Sequence, residues 1–293
     1  MNHPLDLRSL ETPEDMAQAE DLQRAVWPGS ETDIVPAHLM VTLAHNGGVL
    51  LGAFDGGHMV GYVMGFLGTD AATPDRVASA RLKHCSHQMG VLPEYRDRGI
   101  GLQLKMAQRD VVMRQGVRLI TWTYDPLLSR NAQLNIRRLG AVCRAYVRDA
   151  YGKMRDGLNA GIASDRFEVE WWITSRRVSA RLQGERQELD LAHFLAAGAQ
   201  ELNPSGLDAD GLASPTESPQ EPRGNLALVE IPADFGEIRR RNAQLASAWR
   251  LHTREIFETA FRQGYIVTDF VSLRDGPYPR SYYLLSHGEG MLG

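Results

Sequence analysis

The sequence predicts a mixed α/β fold: a central mixed β-sheet flanked by helices over residues 1–175, followed by a smaller α/β region over residues 176–293. Three observations predict it. Apolar runs of period two alternate with runs of helical period through the first 175 residues. Gly56-Gly57 separates two such apolar runs, as a tight hairpin does. A further helix and several strands follow a Pro- and Gly-rich stretch at about 203–224, which reads as a flexible linker or long surface loop.

Taken in order, residues 5–12 make a first strand, and Thr12-Pro13-Glu14 starts a helix well. Residues 36–45 read as a second helix, stopped by Asn46-Gly47-Gly48. The hairpin at 49–55 and 58–68 and a strand at 81–92 come next. A helix carrying Ile100, Leu104, Ala107 and Val111 follows, with Gly116 as its stop. Residues 117–125 alternate as a strand, a helix runs from Ser129 to Leu139, and strands at 142–151 and 167–174 flank a long polar loop at 152–166. In the second region, 226–231 is a strand, 234–263 one long helix, and 265–273 and 281–285 are strands. These could form a subdomain, extend the first sheet or pair with a partner subunit.

At 293 residues, one large or two modest domains are expected, and 43% apolar residues support a substantial core. A net charge of −4 argues against a nucleic-acid-binding protein, whose footprint is usually basic. Lysine is scarce: Lys83, Lys105 and Lys153 are the only ones. Cys85 and Cys143 are too few for a disulfide framework or a cysteine-based metal site. No apolar run resembles a signal peptide or reaches the length of a membrane span, so a cytoplasmic protein without membrane contact is expected, and no metal.

The chemistry-bearing stretch is residues 87–116. Met89 and Val91 are strand residues, Pro93 ends the ladder, and Arg96, Gly99 and Gly101 fall in a short loop before the helix. Backbone N–H groups at a helix start lack intrahelical partners and sit at the positive end of its dipole. Glycines let that backbone approach a ligand, and arginine adds charge, so the loop suits a phosphate or pyrophosphate. The dinucleotide fingerprint needs three glycines and a P-loop needs a Lys-Ser/Thr pair after its last glycine. Neither is present.

The spacing Arg96-x-x-Gly99-x-Gly101, together with the element order β-α-α-β-β-β-loop-α-β-α-β-β, resembles the GNAT superfamily of acyl-CoA-dependent N-acyltransferases over residues 5–175. The resemblance implies acetyl-CoA or another acyl-CoA, such as succinyl-CoA, as cofactor. It implies a small-molecule amine, an amino acid among the candidates, as acceptor attacking the thioester directly. The backbone of Met89, Gly90 and Val91 would bind the pantetheine arm, and the N–H groups of Arg98, Gly99, Ile100, Gly101 and Leu102 the pyrophosphate.

The chain departs from the family's Asn-x-x-Ala-x-x-Leu-Tyr-x-x-x-Gly-Phe pattern. Counting back from Gly140, Ile136 stands where the tyrosine general acid would be. A non-catalytic CoA-binding module is therefore the alternative reading. Asn131 and Asn135, four apart on a helix, could hydrogen-bond the cofactor, and Asn131 is the candidate. His87 shares strand parity with Met89 and titrates near neutral pH, which suits removal of a proton from an ammonium. Tyr146, with Tyr124 and Tyr151 as alternatives, is the candidate proton donor. Arg155 and Arg166, in and beside the 152–166 loop, could grip a substrate carboxylate. A homodimer stays open.

Overall fold

Thr12 caps the first helix from both sides: its hydroxyl accepts from the Asp15 N–H, and the Asp15 carboxylate accepts from the Thr12 N–H. Helix α1 (Pro13–Val26) follows strand β1 (Asp6–Ser9) in a computed structural model that describes residues 5–29, 31–70, 75–154, 161–185, 187–216, 218–275 and 277–288. The chain divides into two compact units, Met1–Trp122 with Met154–Gly161, and Thr123–Lys153 with Ile162–Gly293.

In the first unit, α2 (Ala37–His45) precedes β2 (Val49–Asp55) and β3 (His58–Thr69). Gly56 and Gly57 both have positive φ, as a tight hairpin of this twist requires. Strand β4 (Leu82–Val91) leads to helix α3 (Ile100–Arg114) and then β5 (Leu119–Tyr124). The strands lie in the order β1-β2-β3-β4-β5, antiparallel except for the parallel pair β4/β5. Helices cover both faces. A side chain at Gly90 would meet Leu22 and Trp27, around the end of α1, whereas one at Gly61 would meet Ile100 and Leu104 of α3. The core between them includes Leu22, Val60, Tyr62, Leu104 and Ile120.

The second unit starts with α4 (Ser129–Ala132), which passes into a π-helix over Gln133–Arg138. The sequence predicts one regular α-helix here. Instead Ala141 donates back to the carbonyl of Asn135, and Leu139 to Leu134, which widens the turn. Four-residue spacing therefore does not place Asn131 and Asn135 on one face. The Ser129 hydroxyl pairs with Ser281 and does not cap the helix.

Strands β6 (Val142–Val147) and β7 (Arg166–Trp172) come next, then α5 (Arg176–Leu182), α6 (Leu191–Ala196) and the short β8 (Gln200–Glu201), β9 (Gly206–Leu207) and β10 (Ala213–Ser214). The segment read as a linker thus carries a small hairpin of β9 and β10, and the Asn203 side chain bonds both backbone groups of Glu230. Strand β11 (Leu226–Pro232) is followed by two helices, α7 (Phe235–Arg241) and α8 (Ala243–Arg262), where a single one is expected. The break is at Asn242, whose extended backbone and side-chain bond to the Leu245 N–H make it an N-cap. Strands β12 (Tyr265–Leu273) and β13 (Arg280–His287) complete the unit.

Its strand order is β7-β6-β12-β13-β11-β8. Val267 of β12 pairs with Cys143 of β6, so strands from the expected second region extend a ladder begun before residue 175. Both strands of that pairing belong to the second unit. Helix α8 packs Trp249, Ile256, Phe257 and Ala260 inward, and Phe257 meets Phe167 edge-on at 4.6 Å between centroids.

Candidate functional site

The loop before α3 has the shape the sequence predicts. Asp97 and Gly99 have positive φ, which turns the chain back so that α3 begins at Ile100. No side chain caps α3, and the first carbonyl-bonded amide is Gln103, donating to Gly99. The N–H groups of Ile100, Gly101 and Leu102 thus point along the helix axis away from the helix. A Cβ built on Gly99 would meet nothing within 4 Å. Arg96 is folded back through Nε onto the Val91 carbonyl at 3.2 Å, and Arg98 lies over the Tyr95 ring while donating to the Glu94 carbonyl. Uncapped amides, open space over Gly99 and two nearby guanidiniums fit a pyrophosphate.

Strand β4 is irregular where the sequence places the pantetheine arm. Met64 faces Gln88 and Gly65 faces Ser86, which leaves His87 without a partner on β3, a β-bulge. The bulge breaks the alternation of faces: Ser86 reaches α3, while Gly90, four residues on, faces α1. Parity therefore does not assign His87 to the face of Met89. On its other side, β4 pairs with β5 through His84↔Ile120 and Cys85↔Thr121. Beyond Cys85 no strand pair is formed there among the described residues, so Met89, Gly90 and Val91 present backbone groups along an open edge. His87 is exposed, with its ring 6.2 Å from that of Phe66, and partial desolvation lowers its pKa.

A cluster that the sequence reading does not single out lies behind this edge. The inward stripe of α3 runs through Ile100, Leu104, Lys105, Gln108 and Val112, not through Ala107 and Val111. Lys105 is 2% exposed, and its Nζ donates to Ser86 Oγ at 2.7 Å and Gln108 Oε1 at 3.2 Å. It also sits 3.8 Å from the centre of the Trp122 ring. The Ser86 hydroxyl donates to the same Gln108 oxygen, and the Gln108 amide nitrogen is 3.3 Å from His84 Nε2. Gly65 makes room for that histidine, since a Cβ there would fall 2.3 Å from His84 Nε2. Burial pushes Lys105 down to about 7, and burial, helped by the Lys105 charge, pushes His84 down to about 4. A signal for this cluster was in the sequence: a lysine and a glutamine on helical positions that also hold Leu104 and Val112.

Tyr146, Arg166 and Asn131 belong to the second unit. Tyr146 donates to Asp165 Oδ2 at 2.7 Å, and burial raises its pKa. Asp165, fully buried, also takes a two-pronged contact from Arg254 at 2.7 and 2.9 Å and one from the Asp149 N–H. Burial alone would raise the Asp165 pKa, and these donors outweigh it and hold it below the ordinary value. Arg166 is buried, with Nη1 on the Asp165 carbonyl and its guanidinium over Tyr151. Asn131 sits in α4, half-buried, and Arg155 lies outside the described residues. No described helix is long and apolar enough to cross a membrane.

Residues 10–139 match the family model described as Acetyltransferase (GNAT) family. No curated protein matches the sequence. Similar solved structures include the ribosomal-protein-S18-alanine N-acetyltransferase from Escherichia coli, at 15% identity and TM-score 0.43, with 58% of this chain and 94% of that chain covered. They include an N-acetyltransferase from Staphylococcus aureus, at 12% identity and TM-score 0.45, covering 59% and 100%. An aminoglycoside 6'-acetyltransferase type Ii matches at 18% identity and TM-score 0.44, covering 58% and 99%. The chain carries, over residues 10–139, a domain of the GNAT acetyltransferase family.

Proposed function

We propose that the protein is an acyl-CoA-dependent N-acyltransferase that moves an acetyl or succinyl group onto the amine of a small molecule, an amino acid among the candidates. The observation that carries this reading is the uncapped start of α3 beside a bulged strand with an open edge. The N–H groups of Arg98, Gly99, Ile100, Gly101 and Leu102, with the Arg96 guanidinium, would hold the pyrophosphate. The open backbone of Met89, Gly90 and Val91 would align the pantetheine arm as an added strand would lie. Bound acyl-CoA supplies the activated acyl group.

The chain's own contribution is to orient and to move protons. His87, exposed at the bulge with a lowered pKa, is a neutral imidazole at pH 7 and can take the proton of an incoming ammonium. Tyr146 has its proton committed to the Asp165 carboxylate and serves poorly as an acid, so leaving-group protonation falls to another donor or to water.

Thermal unfolding in the presence of CoA, acetyl-CoA and succinyl-CoA tests the reading. A ligand at a hundred times its Kd adds about 2.7 kcal/mol of stability. The thioester that stabilises most becomes the donor for an amine screen, and Gly101→Glu should lose the ligand shift while melting normally without ligand. No stabilisation by any of the three would refute the cofactor assignment. The second reading, a CoA-binding module without turnover, is favoured by Ile136, which is fully buried at the position of the usual acid. Tight acyl-CoA binding with no product from any amine would select it.

A further inference from the structure

Lys105 is buried without an ion-pair partner among the described residues. The titratable groups around it are both on β4: His84, linked to it through Gln108, and Cys85. The rest of its surroundings are Ser86 and the Trp122 ring. These neighbours provide three acceptors for three N–H bonds: Ser86 Oγ, Gln108 Oε1 and the ring face. The Ser86 hydroxyl proton is already given to Gln108 Oε1, so nothing there donates to an amine lone pair. The arrangement matches the ammonium, while burial without a carboxylate favours the amine. The site is poised between the two, and a nearby charge can tip it.

The start of α3 is where such a charge would arrive. Lys105 is five residues past Ile100, and side chains on a helix lean toward its N-terminus. Its Nζ therefore lies behind the first turn, whose free N–H groups form the proposed pyrophosphate site.

We propose that Lys105 is a positioning residue linked to the cofactor: docking of an acyl-CoA pyrophosphate on the N-terminus of α3 draws a proton onto Lys105, and the resulting ammonium holds that turn to Ser86 beside the β4 bulge. The inference rests on the acyl-CoA reading. Linkage is reciprocal, so if CoA raises the proton affinity of Lys105, protonation of Lys105 raises affinity for CoA by the same factor.

Three lysines make the test direct. The full chain, labelled with lysine carrying 13C at the ε position, is titrated by NMR with and without CoA. Lys105→Met identifies its resonance by loss. If that variant does not fold, Lys83→Arg and Lys153→Arg identify it by elimination. The expected result is one midpoint near 7 that rises by about one unit with CoA, matched by CoA binding about tenfold tighter at pH 6 than at pH 9. The Lys105→Met protein should bind CoA without that part of the pH dependence, the phosphate of CoA titrating alike in both. CoA binding that leaves the Lys105 midpoint unmoved overturns the proposal while the cofactor reading stands. Absence of CoA binding at every pH removes the cofactor reading and this proposal with it.

Discussion

The buried carboxylates of the second unit and two buried bases of the first are satisfied in opposite ways. In the second, each deeply buried carboxylate has an arginine: Asp165 with Arg254, Asp125 with Arg250, Asp269 with Arg181 and Glu230 with Arg280. In the first, Asp15 is likewise paired with Arg8, but Lys105 and His84 are buried with only neutral partners. A paired charge keeps its ionisation over a wide pH range and mainly fixes geometry. An unpaired one sits near its own titration and answers to whatever charge comes near. The contrast suggests that the second unit uses these charges to hold its loops, whereas the charge on Lys105 stays available for a ligand.

The largest effect should come from breaking a pair in the second unit. Asp165→Ala strands the Arg254 guanidinium, the Tyr146 hydroxyl and the Asp149 N–H together. Loss of one member of such a pair costs about 3–5 kcal/mol. Chemical denaturation should show a lower midpoint with an unchanged slope, and a loss under 1 kcal/mol would mean that the ion pair is not formed.

Removing the charge in the first unit should do the reverse. Lys105 has a folded pKa well below its unfolded one, so the cost of burying its ammonium is fully present below about pH 7 and is lifted as pH rises toward its ordinary value. Lys105→Met should therefore stabilise the protein by on the order of 2–4 kcal/mol at pH 6, with the gain shrinking steadily above pH 7. Ser86 and Gln108 still bond each other in that variant. A destabilised Lys105→Met, or a gain equal at pH 6 and pH 10, would show that Lys105 is paired after all.

These two regions also differ in how far the sequence discloses them. The strand–loop–helix of the first unit is legible because its signals are local: Thr12, Gly56-Gly57 and Gly99 each fix a turn or cap within a few residues. The bulge at His87 is not, because it is set by register against Met64 and Gly65 of β3, more than twenty residues upstream. The inward turn of Lys105 is legible only in part: its helical position beside Leu104 marks it, but its bond to Ser86 depends on a strand that the local pattern does not reach. In the second unit, the single helix expected over 234–263 breaks at Asn242, a residue whose capping role is visible only once its backbone is extended. The register that joins β12 to β6 spans more than a hundred residues, and no local pattern announces it.

The smallest effect tests whether the two buried groups of the first unit feel each other. His84 is held well below its unfolded pKa, so it contributes nothing above about pH 6.5 and costs stability as pH falls from there toward 4, where the folded protein resists the proton that the unfolded chain accepts. The full penalty is on the order of 3 kcal/mol. His84→Gln, which cannot titrate, should flatten that part of the stability–pH curve relative to wild type, other carboxylates titrating alike in both. Repulsion from Lys105 supplies part of the shift and burial the larger part. In a Lys105→Met background the same substitution should therefore flatten the curve less, by the share that the charge contributes. Equal flattening in both backgrounds would mean that Lys105 carries no proton between pH 4 and 6.5, and its charge would then be too weakly held to answer a ligand at neutral pH.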